Sequence, residues 1–339
     1  MAQRPTMNDV AAEAGVSQAV VSLVLGGRYA GRASERTAER IREAAESLGY
    51  RTNLQAKTLK TGVSEIIGLV GDEVATSPFS GQMIKGAQDR AWAEGNTLMT
   101  IDTGGDAALE AAAIETLLSH QVRGILYTAM YHRELEVPRS ALETRTVTLN
   151  ARDLAEATPS VIPDEEKGGY DATRVLLEAG HTRIGMINIQ PAEEIPAARG
   201  RRQGHQRALD EAGIALDPGL IHAGEGIHRS GDEGVRALLA LENPPTAIFC
   251  GNDRTALGAY QAIAELGLRI PEDVSIVGFD DQDVLRDFFH PPLTTVQLPF
   301  IAMGERAAAL VLDPAARPET HLIPCPVIHR GSVAPPKGR

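Results

Sequence analysis

The first fifty residues place apolar side chains at the spacing of short helices. The pattern predicts one helix that ends before Gly15, which permits a sharp turn, and a second helix that begins at an N-cap, Ser17. Two short helices joined by a glycine turn form a helix-turn-helix, whose second helix can enter a major groove of DNA. An ordinary helical hairpin in another kind of domain is the alternative. The inward positions are Val10, Ala11 and Ala14 in the first helix and Val21, Val24 and Leu25 in the second.

The chain that follows this motif favours the DNA-binding interpretation. A third helix is predicted to begin at the N-cap Ser34 and to share one small core with the other two. Residues 51–62 then carry Asn53, Ala56 and Leu59 at every third position. A helix this short is marginal in water, so it needs something to fold against.

Beyond residue 63 short apolar runs alternate with helical stretches such as 82–94 and 107–119. Strand–helix alternation predicts parallel sheets covered by helices, and its restart after about residue 162 predicts two similar lobes. The expected fold class is therefore α/β, with an all-α helix-turn-helix headpiece before a two-lobed core. The predicted strands are 66–70, 97–101, 124–127 and 146–149 in the first lobe and 184–188, 247–250 and 274–278 in the second.

Composition favours a soluble protein of the cytoplasm. The chain has 339 residues, 43% of them hydrophobic, and no apolar stretch of the length needed to cross a membrane. Its N-terminus lacks the apolar segment of a signal peptide, and its two cysteines give no disulfide framework.

The net charge of −12 is unevenly divided. Residues 1–62 contain nine basic and six acidic residues, a balance of +3, whereas the remainder holds 24 basic and 39 acidic residues, a balance of −15. An acidic protein repels DNA as a whole, but the predicted headpiece carries the opposite sign. The charge distribution therefore agrees with DNA binding by this segment.

These features resemble the lac-repressor/gal-repressor family of transcriptional regulators, from Thr6 to about Arg330. The matching motifs include Asn-Asp-x-x-Ala-Leu-Gly at 252–258 and Gly-Phe-Asp-Asp at 278–281. The resemblance implies a homodimer on a pseudo-palindromic double-stranded operator, a hinge helix, and a core like that of periplasmic sugar-binding proteins. The implied domains are 1–50 for the headpiece, 51–62 for the hinge, 63–162 with 292–322 for one lobe, and 163–291 with 323–331 for the other.

The resemblance also implies which headpiece residues contact DNA. Gln18 can pair with adenine, and Ala19 offers a methyl group to thymine. Most relatives carry Thr and Arg where this chain has Val20 and Leu23. Loss of that arginine removes the commonest guanine reader, worth about 1–3 kcal/mol of discrimination, so we expect a half-site read partly through apolar contact. The expected contacts are Thr6, Ser17, Gln18, Ala19, Val20, Ser22 and Leu23.

In relatives, paired hinge helices fold only on the operator and insert a leucine between central base pairs. Leu59 matches that leucine, with Asn53 and Ala56 on the same face and Lys57 and Lys60 near phosphates. A wedge of this kind unstacks a base step and bends the DNA. We therefore expect the hinge to be part of the DNA interface and of the switch.

The ends of two predicted strands carry candidate effector contacts, because ligands of parallel sheets bind beyond the carboxyl ends of the strands. Asn252 and Asp253 follow one strand, and Asp280 follows the next. Helix capping is the alternative for the first two. We assign the cap to Asp253, and Asn252 and Asp280 to the effector.

Four further residues resemble cleft residues of the family. Arg201 matches an arginine that binds effector oxygens, although His205 replaces an aromatic residue of the same motif. Asn150 takes the place of a cleft aspartate. Phe79 and Phe300 match aromatic residues of the cleft wall, and plain core packing is the alternative for both. The family default is a sugar or sugar derivative, with a nucleobase-type corepressor as the alternative.

Other classes of protein are less consistent with the sequence. A secreted sugar-binding protein without a DNA role would share the core but not the headpiece. An enzyme would need a phosphate loop, a nucleophile elbow or a metal-binding motif, and none is found. We therefore expect no catalysis, no cofactor, no metal and no membrane partner. The single tryptophan, Trp92, falls on a predicted helix, where we expect it to pack.

Overall fold

The computed structural model describes residues 5–27, 29–51, 58, 62–77 and 80–337. The chain forms two compact units, Met1–Ser64 and Glu65–Arg339, called here the headpiece and the core.

The described part of the headpiece contains three short helices around one apolar cluster. The side chain of Ser34 accepts a hydrogen bond from the Thr37 amide at 3.2 Å, which caps the third helix as predicted. Val10, Val21 and Ile41 are fully buried where the three helices meet. The helices are α1 (Met7–Glu13), α2 (Gln18–Leu25) and α3 (Glu35–Ser47).

The core alternates strands and helices as the sequence predicts. Its strands are β1 (Ile66–Gly71), β2 (Thr97–Asp102), β3 (Gly124–Leu135), β4 (Thr146–Asp153), β5 (Ser160–Pro163), β6 (Ile184–Ile189), β7 (Ile221–Gly224), β8 (Ala247–Cys250), β9 (Ser275–Asp280), β10 (Thr294–Gln297), β11 (Thr320–Ile323) and β12 (Val327–Ile328). Its helices are α4 (Gly81–Ala93), α5 (Ala107–Ser119), α6 (Glu165–Glu178), α7 (Pro196–Glu211), α8 (His228–Leu239), α9 (Asp253–Glu265) and α10 (Phe300–Leu312).

The core strands form two six-stranded sheets, one in each lobe. The first has the order β11-β5-β4-β3-β1-β2 and is parallel, and the second has the order β12-β10-β9-β8-β6-β7, with only β12 antiparallel. In the first lobe α4 and α10 cover one face and α5 the other. In the second, α6 and α7 cover one face, and α8 and α9 the other. Burial on both faces explains the continuous apolar runs of the central strands.

The chain crosses between the lobes at three places: after β5, after β10 and after β11. β10 therefore belongs to the second sheet, whereas the sequence assigned 292–322 to the first lobe. The chain returns to the first lobe only after residue 298, and β11 keeps residue 323 there as well. The apolar pattern of a four-residue strand does not show which sheet the strand joins, so the boundary at residue 292 was wrong.

Close glycine contacts bring the helices of each covering pair together. A Cβ added at Gly204 would lie 2.0 Å from the Glu166 carbonyl oxygen and 2.4 Å from the Tyr170 nitrogen. Backbone thus packs on backbone between α6 and α7. The other pairs use the same device, at Gly86 and Gly304 between α4 and α10, and at Gly231 and Gly258 between α8 and α9.

Gly204→Ala should destabilise the core by about 1–3 kcal/mol or more, because backbone atoms must move to admit the methyl group. Gly81→Ala is the matched control, since nothing lies within 4 Å of an added Cβ at that helical position. Denaturant unfolding of both variants measures the difference, and equal free energies of unfolding would contradict this account of the helix packing.

Candidate functional site

The second helix of the headpiece presents a small exposed face. Ser17 begins α2 and accepts a hydrogen bond from the Val20 amide at 3.4 Å. Gln18 and Ala19 are exposed beside it, whereas Ser22 and Leu23 are half-buried. These side chains lie at the start of the helix and on one side of it, the part that enters the major groove in helix-turn-helix proteins.

Two of the expected DNA contacts also have structural roles within the headpiece. The Thr6 hydroxyl donates to an Asp9 carboxylate oxygen at 2.7 Å and forms a capping box with it. Val20 packs partly against the apolar cluster of the three helices. The predicted hinge contacts, by contrast, lie outside the described residues: Asn53, Ala56, Lys57, Leu59 and Lys60.

The core contains a cavity of about 380 Å³ between its two lobes, called here the interlobe cavity. It lies at the carboxyl ends of strands from both sheets, where ligands of parallel sheets bind. Asn150 and Phe300 line it from the first lobe, and Arg201, Asn252 and Asp280 from the second. The chain thus brings five of the seven candidate effector residues to one cavity.

Arg201 is buried at the base of the cavity within a dense set of contacts. Its Nε donates to a Glu165 carboxylate oxygen at 2.7 Å, and one terminal nitrogen donates to the other oxygen at 3.3 Å. The other terminal nitrogen donates to the Gly251 carbonyl oxygen, and the guanidinium lies 3.7 Å from the centre of the Phe279 ring. Burial opposes ionisation of Glu165, but the interactions with Arg201 and with His132 together outweigh it, so the pKa of Glu165 is lowered.

Asp280 stands beside this pair at the end of β9. One of its oxygens lies 3.5 Å from an Arg201 nitrogen, and the other accepts from the Gln282 amide group at 2.8 Å. Its φ of +113° is a rare conformation for a residue with a side chain and indicates local strain. Burial raises the pKa of Asp280, and the Arg201 guanidinium counters that rise.

The structure reverses the capping assignment that we made for Asn252 and Asp253. Asn252 is the N-cap of α9: its side-chain oxygen accepts from the Thr255 amide at 2.8 Å, and its amide group donates to the Gly226 carbonyl. Asp253 is buried below the cavity, where it accepts from the Thr295 hydroxyl at 2.7 Å. Either residue type caps helices well, so the local sequence could not distinguish them.

The three first-lobe candidates for effector contact are Asn150, Phe300 and Phe79. Asn150 is buried with a φ of +56°, and its amide group donates to the carbonyls of Ala129 and Met130. Phe300 is largely buried in the first-lobe core and also borders the cavity. Phe79 lies outside the described residues.

Several cavity residues were missed by the sequence reasoning, among them Glu165 and His132. His132 lies on β3 beyond the predicted strand end at 127, and its side chain is 9% exposed. Its Nδ1 is 3.7 Å from a Glu165 oxygen of the opposite lobe and makes no hydrogen bond among the described residues. A longer first-lobe strand was the only signal that could have found it.

Two further polar contacts between described residues join the lobes outside the cavity lining. Arg199 lies 2.9 Å from the Glu134 carboxylate of the first lobe, and the Gln82 amide donates to Asp283 of the second at 2.8 Å. The prediction for Trp92 was wrong: it is 63% exposed on α4 rather than packed.

Within the described ranges, no group of three or more His, Cys, Asp or Glu is placed to hold a metal ion. In the same ranges, none of the helices combines the length and apolar character needed to cross a membrane.

Comparison with known proteins identifies both parts of the chain. Residues 6–53 match the family model described as bacterial regulatory proteins, lacI family, and residues 173–333 match a periplasmic binding protein-like domain. The chain is 33% identical over 311 residues to the HTH-type transcriptional repressor PurR of Aliivibrio salmonicida, with 91% of each chain covered. It is 33% identical over 335 residues to the repressor CytR of Escherichia coli, with 96% of each covered.

Solved structures give the same result for the fold. The lac repressor dimer bound to operator and the anti-inducer ONPF aligns with a TM-score of 0.75 and 26% identity, covering 98% of this chain and all of that one. The complex of the transcriptional regulator CelR with cellobiose aligns with a TM-score of 0.67 and 28% identity, covering 97% and 100%. The fold and the relatives define a DNA-binding transcriptional regulator with an effector-binding core. The chain belongs to the lacI family of bacterial regulatory proteins, which confirms the predicted family and fold.

The departure from the family motif at His205 has a measurable consequence for stability. His205 is buried on α7, with its Nδ1 2.9 Å from the Thr173 hydroxyl and its ring 6.2 Å from that of Phe249. Burial lowers the pKa of His205 from 6.5 to about 4. As pH falls below 6.5 the unfolded chain therefore takes up this proton first, and stability is lost progressively down to about pH 4.

We predict that His205→Phe removes this loss, which amounts to about 3 kcal/mol at the acid end. Thr173 keeps its hydrogen bond to the Gly169 carbonyl in the variant. Urea unfolding at neutral and acid pH measures the pH dependence in both proteins, and other titrating groups contribute equally to the two. His120→Gln, at an exposed histidine, is the control; a wild-type pH dependence in His205→Phe would refute the explanation.

Proposed function

We propose that this protein is a repressor that binds a pseudo-palindromic operator as a homodimer. Its affinity for the operator falls or rises when a small molecule occupies the interlobe cavity. The carrying observation is the presence, in one chain, of an exposed and N-capped second helix and of a polar cavity lined by both lobes. Its relatives are named as repressors, and a structural neighbour was solved as a dimer on operator DNA.

The headpiece residues divide into two roles in this proposal. Gln18 and Ala19 contact base edges, while the hydroxyls of Ser17 and Ser22 contact phosphates. Val20 and Leu23 contribute apolar contact at steps where relatives place polar side chains. The hinge residues Asn53, Ala56, Lys57, Leu59 and Lys60 complete the interface, with Leu59 as the wedge in the minor groove.

The interlobe cavity is the proposed effector site. Asp280 and Asn150 offer hydrogen-bond acceptors, Phe300 offers a ring edge or face, and Arg201 orders the acidic groups around it. Asn252 shapes the wall by capping α9. Phe79, outside the described residues, is a proposed effector contact on its resemblance to the family alone. A carbohydrate fits a cavity of this polarity, and cellobiose is the ligand of one structural neighbour. We propose no catalytic step, and a site of action on cytoplasmic nucleoid DNA.

The direct test is a mobility-shift assay with DNA from upstream of the gene and with unrelated DNA of equal length. A thermal-shift screen of neutral sugars and nucleobases then identifies stabilising compounds, because a ligand that binds only the folded state raises the melting temperature. The proposal requires that a stabilising compound also change operator affinity. Operator binding that no stabilising compound alters would contradict the switch.

Leu23→Arg should add a guanine preference at one step of the half-site, since an arginine fork pairs with guanine in the major groove. We expect about 1–3 kcal/mol of discrimination at that base pair and no change elsewhere. Binding-site selection with the full-length protein measures it. Leu23→Ala is the matched control and should show no guanine preference; a preference in that variant would show that position 23 does not read this step.

Asp280→Asn should weaken effector binding at least about tenfold and leave operator binding in the absence of effector unchanged, because a charged hydrogen-bond acceptor is lost from the cavity. Asp287→Asn, an exposed change in the same loop, is the control. Calorimetric titration gives the effector affinity and the mobility shift gives the operator affinity. Loss of both activities in Asp280→Asn would indicate misfolding rather than a binding role.

A further inference from the structure

The guanidinium of Arg201 has little hydrogen-bonding capacity left for a ligand. An arginine offers five N–H donors. Two of them are directed at the Glu165 carboxylate, one at the Gly251 carbonyl and one towards Asp280, and the Phe279 ring covers one face of the group. A carboxylate or phosphate group normally binds an arginine through two parallel donors, and here Glu165 already occupies that position.

The other two arginines of the cavity wall also stand beside carboxylates. Arg133 lies 3.1 Å from an Asp72 oxygen. Burial raises the pKa of Asp280, and the charges of Arg201 and Arg254 counter the rise, which places Arg254 in the field of the same carboxyl group. The positive charges of the wall are therefore matched by acidic side chains of the protein itself.

Several hydrogen-bond acceptors remain among the other polar groups of the wall. The Asn150 amide group donates to two carbonyls, which leaves its oxygen as the free end, and Asn252 uses both ends of its side chain within the protein. Glu225 adds an exposed carboxylate at the rim. Asp280 contributes a further carboxylate at the base. A ligand that satisfies these groups must supply hydroxyl or N–H donors.

A second observation marks the cavity as a ligand site. His132 is more than nine-tenths buried in its wall; its Nδ1 faces the Glu165 carboxylate at 3.7 Å, too far for a hydrogen bond, and makes no hydrogen bond to another described residue. Buried polar atoms are normally paired, and an unpaired one costs free energy. A ligand hydroxyl within reach of both His132 and Glu165, whose facing atoms are 3.7 Å apart, can accept from an Nδ1–H group and donate to the carboxylate.

We propose that the interlobe cavity selects a donor-rich ligand without negative charge, and that Glu165 excludes phosphorylated and carboxylated compounds by occupying Arg201. The inference rests on the proposed function for its effector site and goes beyond it by stating the ligand's charge. An anion at this position would face the carboxylates of Glu165 and Asp280, and like charges at short range disfavour binding. Release of Arg201 from Glu165 should convert the site into one that accepts anions.

The test uses inorganic phosphate as the probe and the full-length protein. Melting temperature is followed against phosphate concentration, with chloride keeping the ionic strength constant. Glu165→Gln should bind phosphate at least about tenfold more tightly than the wild-type protein, because the carboxylate that neutralises Arg201 is gone. Wild-type protein should show no saturable stabilisation that depends on the cavity.

Two controls assign any phosphate response to the cavity. Glu166→Gln changes the next residue, which pairs with Arg207 on the surface of the same two helices, and should behave as wild type. The double variant Glu165→Gln with Arg201→Gln should lose the response. Phosphate bound by the headpiece contributes equally to all of these proteins and cancels. An equal response in Glu165→Gln and Glu166→Gln, or a response that survives the loss of Arg201, overturns the proposal.

If circular dichroism and operator binding show that Glu165→Gln does not fold, the phosphate titration of the wild-type protein tests the proposal instead. Saturable stabilisation of the wild-type protein by phosphate, weakened in Arg201→Lys, would overturn the proposal, and its absence supports exclusion of anions. This readout is independent of DNA. A failure of the proposed function appears in the operator assay, whereas a failure of the charge selection appears only in the phosphate titration.

Discussion

The buried ion pair between Glu165 and Arg201 organises the second lobe around the cavity. It joins the start of α6 to α7, and Arg201 reaches on to the ends of β8 and β9 through Gly251 and Asp280. The pair forms because the two helices approach closely: a Cβ at Gly169 would lie 2.3 Å from the Arg201 carbonyl oxygen. Loss of one partner would leave an uncompensated buried charge, which is strongly destabilising. The glycines that set the helix spacing therefore also set the chemistry of the cavity.

The topology of the core explains why this chemistry faces the other lobe. Parallel strands end at one edge of each sheet, and the three crossovers lie between the lobes, so both sets of strand ends border one cavity. His132 and Asn150 reach it from the first sheet, and Asp280 from the second. Each lobe alone would present these polar groups to solvent, and only the two together enclose them.

Much of the fold could be predicted from signals between neighbouring residues, whereas the features that the sequence did not predict depend on residues far apart in the chain. Ser17 and Ser34 were identified as helix caps because capping depends on neighbouring residues. The Glu165–Arg201 pair joins positions 36 residues apart, and no local pattern indicates it. His132 was missed because β3 continues beyond its apolar run into alternating polar positions. Asn252 and Asp253 exchanged roles because both residue types suit a cap, and only the surrounding packing separates them.

The two polar contacts between the lobes outside the cavity lining hold the lobes only weakly in this arrangement. The pair between Arg199 and Glu134 is about one-third exposed on both sides, and such pairs contribute about 0–1 kcal/mol each. The Gln82–Asp283 hydrogen bond lies at a similarly exposed position. A ligand shifts an equilibrium between two arrangements only by the difference in its affinity for them. Because these contacts hold the lobes only weakly, we infer that most of that difference comes from the ligand's contacts with His132 of the first lobe and with Glu165 and Asp280 of the second, since these two sets of groups face each other only when the lobes meet.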